Sequence, residues 1–306
     1  MVHHQAKEKD ERHRYGRHYT PLEVARLLAA FAVRSAGDLV LDPSCGDGRL
    51  LEEALKLKKQ LASRDSTKAT SFSDDLFGVE HSRPAAQVAR RTGATVVLAD
   101  FFDVEPGRTL NSSVSRAGKE GYAPRSMPRE FDALIGNPPY IRQEIIGLQD
   151  KSRIAQRLAV DRSSAPESFW PRWSGRSDIY VYFFAHSIRF LKERGRLVFL
   201  TASSWLDSAY GAALREFLLN NFRVLAVVES AAESFFADAS INTCITVLER
   251  DSDLSARERN SIRFVRFNKP LREIVREASP AQATLQLARE IVTNQNSRNN
   301  EAYRVR

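Results

Sequence analysis

The chain has 306 residues, 42% of them hydrophobic, which is enough to build one large domain with a sizeable core. Its 46 lysines and arginines exceed its 38 aspartates and glutamates, and the net charge of +8 fits nucleic-acid binding without requiring it. Two cysteines far apart in the sequence exclude a disulfide framework and a zinc motif, and no apolar run approaches the roughly 20 residues of a membrane-spanning helix.

The N-terminal residues 1–15 form a basic, polar stretch without an apolar segment, so they are not a signal peptide. We expect them to be a mobile arm. Isolated cysteines are typical of a reducing compartment, which predicts a cytoplasmic location, and no membrane partner is expected. From Leu22, apolar residues recur at the spacing of an amphipathic helix.

Strand-like apolar runs then alternate with helical patterns. The predicted strands are DLVLD, LFGVE, TVVLAD, FDALIG, RLVFLTA, FRVLAVVES and INTCITVLER. This alternation predicts an α/β, Rossmann-like fold with a mostly parallel, seven-stranded sheet and helices on both faces. The pattern SDIYVYFFAHSIRFLKERG predicts a helix that ends at Gly195.

Polar segments interrupt this alternation at 63–75 and 105–130, and both are predicted to be loops. A basic segment at 147–176 contains tryptophans among arginines such as Arg153 and Arg157, which suits phosphate contact and stacking. A solvated loop is a common alternative, so no single residue is assigned there. After Arg250, SIRFVRF predicts a further strand, and a helical, polar tail follows it.

Polar residues stand at the carboxyl ends of four predicted strands, where α/β sheets bind their ligands: Asp42, Glu80, Asp100 and Asn137. The glycine-rich loop DPSCGDG lets a ligand approach the backbone, although a tight connection is the plainer explanation. Glu80 is placed to accept ribose hydroxyls, and Asp100 with Phe101 suits an adenine. Each feature has an ordinary structural explanation, but their order on consecutive units favours a bound nucleoside group.

The stretch GNPPYIRQ at 136–143 ends a predicted strand abruptly, because neither proline has an N–H to donate to a sheet. It offers an amide, a carbonyl and an aromatic ring in fixed positions. A Pro-Pro loop is common in proteins, but this arrangement favours a site that grips a planar substrate carrying an NH2 group.

Seven motifs follow one another along the chain: GRHYTP, DPSCGDG, VE, DFF, NPPY, SSWLDSAYGAALREFLL and INTCITVLER. Through them, residues 16–250 resemble a domain of the class I S-adenosylmethionine-dependent methyltransferases. Within that class, they resemble the DNA adenine-N6 methyltransferases of restriction–modification and related defence systems. The subgroup is the one in which the cofactor half precedes the catalytic half and target recognition is C-terminal.

The resemblance implies S-adenosylmethionine as the cofactor, with no metal. The residues expected to hold the cofactor are Tyr19, Thr20 and Pro21 at its methionine end, Asp42, Pro43, Cys45 and Gly46 at its amino-acid part, Glu80 at the ribose, and Asp100 and Phe101 at the adenine, with Asn137 beside them. The residues expected to hold and activate the target base are Asn137, Pro138, Pro139 and Tyr140, with Tyr210 as a second stacking ring.

The implied reaction is methylation of the N6 amino group of an adenine flipped out of double-stranded DNA. Residues 251–306 are too few for a full target-recognition region and are expected to be its truncated start. A specificity or restriction subunit, or a missing C-terminal domain, is therefore the expected partner. The alternatives are methylation of a protein glutamine or of RNA, which YTP and AYGAALREFLL disfavour, and a non-catalytic subunit with this fold, which the intact motifs disfavour.

Overall fold

The computed structural model describes residues 20–62, 72–108, 126–173, 175–235, 241–276, 279–293 and 298–306, so the predicted arm and most of the two polar loops lie outside the described residues. Its helices are α1 (Leu22–Ala32), α2 (Arg49–Ala62), α3 (Arg83–Ala89), α4 (Leu148–Ser164), α5 (Ile179–Ser187), α6 (Ala212–Asn221), α7 (Leu254–Glu258), α8 (Leu271–Ile274) and α9 (Pro280–Thr293). Within this part of the chain, none of the helices is long and apolar enough to span a bilayer.

The strands are β1 (Val40–Asp42), β2 (Leu76–Glu80), β3 (Thr95–Leu98), β4 (Phe131–Gly136), β5 (Leu191–Ala202), β6 (Phe222–Ser230), β7 (Thr243–Arg250), β8 (Arg263–Phe267), β9 (Arg298–Asn299) and β10 (Tyr303–Val305). Across the described residues they form one sheet in the order β3-β2-β1-β4-β5-β7-β6-β8-β10-β9. The pairs among β1 to β5 are parallel, and β7 lies antiparallel between β5 and β6.

All seven predicted strands are present, and the predicted α/β, Rossmann-like class is confirmed. The further strand predicted from SIRFVRF is present as β8. The sheet has more than the seven predicted strands, because β8, β10 and β9 extend it beyond β6. The last two of these, with 3 and 2 residues, are too short to show the alternation that reveals a strand in a sequence.

Side-chain alternation along the strands divides the core into two layers. Val40 and Ala133 face one side of the sheet, together with apolar residues of α1, α2 and α9. Leu41 and Leu134 face the other side, together with residues of α4, α5 and α6. Because α9 shares a layer with α1, the region after Arg250 adds to the sheet and core of the preceding residues. That it also begins a target-recognition region stays a prediction.

The helix predicted to end at Gly195 ends earlier. α5 stops at Ser187, and Gly195 lies inside β5 beside Arg194, whose φ of 63° marks a bend. The pairing of β4 with β5 shifts register at this bend. A Cβ on Gly195 would lie 2.9 Å from the Lys192 carbonyl oxygen, so this glycine permits a kinked strand and does not stop a helix.

The strand order places a crevice at the carboxyl ends of β1 and β4. β1 has β2 on one side and β4 on the other, so the crossovers leave it in opposite directions. Asp42 ends β1, and Asn137 directly follows β4. The fold therefore sets the glycine-rich loop and the NPPY stretch side by side.

Candidate active site

A cavity of about 470 Å³ lies at this crevice, a size typical of small-molecule sites. Ten of the predicted site residues line it: Thr20, Asp42, Pro43, Cys45, Gly46, Glu80, Asp100, Phe101, Asn137 and Pro139. Four others lie outside its lining: Pro21, Pro138, Tyr140 and Tyr210. Tyr19 falls outside the described residues. The structure brings the strand-end residues together, and which of them bind a ligand stays a prediction.

The loop at 42–48 folds over the end of β2. The Ser44 N–H donates to the Asp42 carboxylate at 3.0 Å, and the Cys45 N–H donates to the Val79 carbonyl at 2.9 Å. Gly46 has a φ of +55°, and apart from its chain neighbours no described heavy atom lies within 4 Å of an added Cβ. The loop therefore leaves space beside its backbone for a ligand.

Glu80 is fixed at the end of β2 by two backbone donors. One carboxylate oxygen accepts the Gly46 N–H at 3.0 Å, and the other accepts the Ser82 N–H at 2.7 Å. Only 6% of the residue is exposed. The carboxylate ties the glycine-rich loop to β2 and keeps acceptor oxygens on the cavity wall.

Asp42 is a buried acid at the end of β1. Burial raises the pKa of its carboxyl group from the ordinary value of 3.8 to about 8. The Ser44 N–H lowers this pKa, whereas the carboxyl groups of Glu80 and Asp47 raise it. Burial also raises the pKa of the Cys45 thiol. A cation bound here would meet three carboxyl groups and would favour the ionised form of Asp42.

Asp100, the predicted adenine acceptor, already has two donors. One oxygen accepts the Phe102 N–H at 3.0 Å, which caps the single turn Phe101–Asp103. The other oxygen accepts the Arg153 guanidinium of α4 at 2.7 Å. A carboxylate has about four acceptor positions, so an additional N–H donor can still be accommodated.

Two arginines of the basic segment are engaged within the protein. Arg153 pairs with Asp100 and with Asp103, and Arg157 pairs with Glu105 at 3.1 Å. These pairs fasten α4 to the turn after β3. Contact with phosphate, which the sequence suggested for this segment, does not explain these ion pairs. Sequence spacing could not reveal the pairs, because 50 residues separate Arg153 from Asp103.

The ring of Phe101 lies between the cavity and the apolar core. Its centroid is 5.3 Å from that of Phe183, 5.3 Å from that of Phe190 and 4.6 Å from that of His186. Only 2% of the residue is exposed. The ring therefore has a packing role, and its contact with an adenine face stays a prediction.

Asn137 is oriented by two residues of other segments. Its side-chain Nδ2 donates to the Thr20 hydroxyl at 3.1 Å, and its backbone carbonyl accepts from the Ser44 hydroxyl at 3.4 Å. Thr20 is itself buried, and its carbonyl accepts from Arg49 at 3.1 Å. Because Nδ2 and Oδ1 share one planar group, the bond to Thr20 also fixes the direction of Oδ1.

The remaining NPPY residues differ in their exposure to the cavity. Pro139 lines it, whereas Pro138 is buried and is not part of the lining. Tyr140 donates its hydroxyl to the Leu200 carbonyl of β5 at 3.1 Å, and burial raises the pKa of this phenol. The Tyr140 ring is half-buried and packs against both core layers, so its orientation is fixed.

Tyr210 belongs to a cluster of polar side chains that the sequence did not reveal. Its hydroxyl lies 2.6 Å from the Ser204 hydroxyl and 3.0 Å from the Tyr180 hydroxyl, and it donates to Asp178 at 3.3 Å. Asp178 also accepts the Gln143 N–H at 3.1 Å, and its burial raises its pKa. The cluster links Tyr210 to the loop after NPPY. That Tyr210 stacks on a base stays a prediction.

The turn that carries Tyr210 requires glycine at position 211. A Cβ there would lie 2.0 Å from the Trp205 carbonyl oxygen, which only a backbone shift could relieve. We expect Gly211→Ala to lower the free energy of unfolding by about 3 kcal/mol or more, measured by urea denaturation. Gly37→Ala is the matched control, because its Cβ would meet nothing nearer than 3.8 Å. Equal stability of the two variants would contradict the described turn.

The chain is similar in sequence to known restriction-modification methyltransferases. The family described as Eco57I restriction-modification methylase matches residues 74–236. The type II methyltransferase M.PaeR7I of Pseudomonas aeruginosa is 30% identical over 69% of this chain and 35% of its own length. M.BstVI of Geobacillus stearothermophilus is 28% identical over 62% of this chain and 33% of its own length. The chain thus spans about one third of these curated relatives.

Solved structures give the same fold. A putative class I S-adenosylmethionine-dependent methyltransferase from Listeria monocytogenes superimposes with a TM-score of 0.57 at 16% identity, covering 90% of this chain and 71% of that one. A likeness at this identity shows the fold alone. Since the family match covers more than half of the residues, the chain belongs to the Eco57I restriction-modification methylase family.

Proposed function

We propose that this chain is the methylating part of a restriction–modification system and transfers the methyl group of S-adenosylmethionine to the N6 amino group of adenine in double-stranded DNA. The observation that carries the proposal is the Asn137 amide, held by Thr20 at the end of β4 on the wall of the strand-end cavity. Membership of the family and the type II methyltransferase relatives support it.

The donor set of the cavity fits S-adenosylmethionine. When bound, this cofactor supplies an electrophilic methyl group on a positively charged sulfur. Asp42 would attract the ammonium group of the amino-acid part, and the open space at Gly46 would admit this part next to the backbone. Glu80 would accept the ribose hydroxyls, and Asp100 would accept the adenine amine.

Asn137 and Pro138 would activate the target amine. The amino nitrogen of adenine is a poor nucleophile because its lone pair is delocalised into the ring. The Asn137 Oδ1 and the Pro138 carbonyl would accept hydrogen bonds from its two N–H groups and draw the nitrogen towards a tetrahedral geometry, and one proton would leave after methyl transfer. Thr20 fixes the amide beforehand, and the fixed φ of the prolines fixes the carbonyl, so little reorganisation is needed. An amide accepts without burying a charge.

Tyr140 would hold the flipped base. Stacking on an aromatic ring is worth roughly 1–3 kcal/mol per base. This is of the same order as the cost of extruding a base, about a few kcal/mol. The bond from Tyr140 to Leu200 fixes the ring before the base arrives, and Tyr210 is proposed as the second aromatic neighbour.

Sequence-specific recognition requires further protein surface. We propose that it comes from a specificity or restriction subunit, or from a C-terminal target-recognition region that residues 251–306 begin. The relatives support this, because the chain covers only 35% of M.PaeR7I and 33% of M.BstVI. The cytoplasmic location stays a prediction.

Transfer of labelled methyl groups from S-adenosylmethionine tests the class of acceptor. Duplex DNA, RNA and a cell protein extract are offered to the chain in parallel. We expect label in DNA alone. Label in RNA or protein alone would replace the proposal with one of those substrates, and cofactor binding without any transfer would point to a missing recognition domain or partner.

The hydrogen bond between Thr20 and Asn137 can be tested by substituting Thr20. Thr20→Val removes the acceptor for Nδ2 at nearly constant shape, so we expect kcat at saturating substrates to fall about tenfold. Thr20→Ser keeps the hydroxyl and should stay within about twofold of the wild type. A valine variant as fast as the serine variant would show that Thr20 does not orient Asn137.

A further inference from the structure

A fully buried pair, His186 of α5 and Asp161 of α4, joins both helices to the end of β3. The His186 Nδ1 lies 2.6 Å from an Asp161 oxygen. Its Nε2 lies 3.2 Å from the carbonyl oxygens of both Phe101 and Val104. Neither His186 nor Asp161 has exposed surface, neither lines the cavity, and neither was among the site residues predicted from the sequence.

The His186 ring is held at both of its nitrogens. Nε2 faces two carbonyl oxygens, which only accept hydrogen bonds, so Nε2 is the donor there. Asp161, which faces Nδ1, also pairs with Arg189 at 3.1 Å and lies 4.0 Å from Arg157. The pair therefore ties α4 and α5 to the turn after β3.

The His186 ring anchors the backbone that follows Asp100. The Phe101 carbonyl accepts both the Val104 N–H at 3.0 Å and the His186 Nε2–H, which closes the short turn after β3. The same turn carries the Phe102 N–H that holds the Asp100 carboxylate at 3.0 Å. Through this turn, the His186 ring acts on both residues that the proposed function assigns to the cofactor's adenine.

We propose that His186 and Asp161 are positioning residues for the adenine end of the cofactor: the buried His186–Asp161 pair fixes the turn that presents Asp100 and Phe101. This rests on the proposed function, which assigns that end of the cavity. Arg153, Arg157 and Asp161 stand four residues apart on α4, so they lie on one face of the helix. Arg153 and Arg157 contact the turn region directly, and Asp161 contacts it through His186. A purely structural pair would stabilise the fold without affecting the affinity of one ligand in particular.

The first test compares two variants of α5 in calorimetric titrations with S-adenosylhomocysteine, the demethylated cofactor. His186→Phe keeps a ring but removes both donors, and we expect Kd to rise at least about tenfold. Phe184→Leu is the control, because Phe184 is equally buried on α5 but packs on Phe199 of β5, so Kd should stay within about twofold. His186→Gln retains an amide donor and should fall between them. Equal affinity of His186→Phe and the control would overturn the proposal.

The second test reads the ring directly in the ligand-free protein. In nitrogen-15 NMR of histidine-labelled protein, we expect Nε2 of His186 to carry a proton, because both of its neighbours are carbonyl acceptors, with the signal assigned by its loss in His186→Gln. An unprotonated Nε2 would overturn the anchoring of the turn by this ring. A wild-type chain that binds no S-adenosylhomocysteine would overturn the proposed function and the adenine role together. The NMR measurement tests the contact of His186 with the turn independently of cofactor binding.

Discussion

Replacing Asn137 by alanine is expected to lower kcat for methyl transfer about 10³-fold while leaving cofactor affinity within about threefold. The loss is large because one of the two acceptors for the target amine disappears. Cofactor binding should survive, since Asp42, Glu80 and Asp100 reach the cavity from other strands. Single-turnover transfer to DNA and calorimetric titration with S-adenosylmethionine measure the two quantities separately.

A buried asparagine elsewhere supplies the control for Asn137→Ala. Asn221 donates to the Phe169 carbonyl and accepts the Phe169 N–H, both at 2.8 Å, and it lies outside the cavity lining. Asn221→Ala should lower the melting temperature without a comparable loss of kcat. If Asn137→Ala retained wild-type turnover, activation of the amine by this amide would be wrong.

Cofactor affinity is expected to rise with pH up to about 8, because Asp42 has a raised pKa of about 8 in the folded protein. The positive cofactor favours the ionised carboxylate, so below this pH the affinity should fall about tenfold per pH unit. At neutral pH, binding should therefore release a proton. Titrations in two buffers with different ionisation enthalpies measure this release.

The raised pKa of Asp42 also determines how the free energy of unfolding changes with pH. The folded protein binds the Asp42 proton up to about pH 8, whereas the unfolded chain loses it near the ordinary value of 3.8. The contribution of Asp42 to the free energy of unfolding therefore decreases as pH rises between these values. Asp42→Asn should remove this dependence and weaken cofactor binding about 100-fold at pH 8. A variant with unchanged affinity and an unchanged pH profile would exclude Asp42 from the cofactor site.

Local patterns predicted the fold well where a signal is carried by a few neighbouring residues. Short apolar runs followed by Asp42, Glu80 or Asn137 revealed both the strands and the edge at which their ends meet, because parallel strands place their carboxyl ends together. The loop at 42–48 and the NPPY stretch were readable for the same reason, since glycine and proline limit the backbone directly.

Patterns failed where a residue's role depends on a distant partner. Gly195 resembles a helix stop, yet packing draws the chain into β5 before it is reached. His186 sits in an apolar helix, and only the fold brings Asp161 and the Phe101 carbonyl to its ring. Tyr210 was singled out for its ring, whereas its hydroxyl bonds could not be foreseen from spacing. Such pairings are set by tertiary packing, which single-sequence periodicity does not contain.

The measurement that tests the account most directly identifies the methylated atom. Duplex DNA labelled from S-adenosylmethionine by the wild-type chain, with Asn137→Ala in parallel, is digested to nucleosides and separated by chromatography with mass detection. The account predicts that the label appears as N6-methyladenine and that the variant yields almost none. Label in a methylated cytosine, or equal label from both proteins, would contradict the assignment of the Asn137 site to the amino group of adenine.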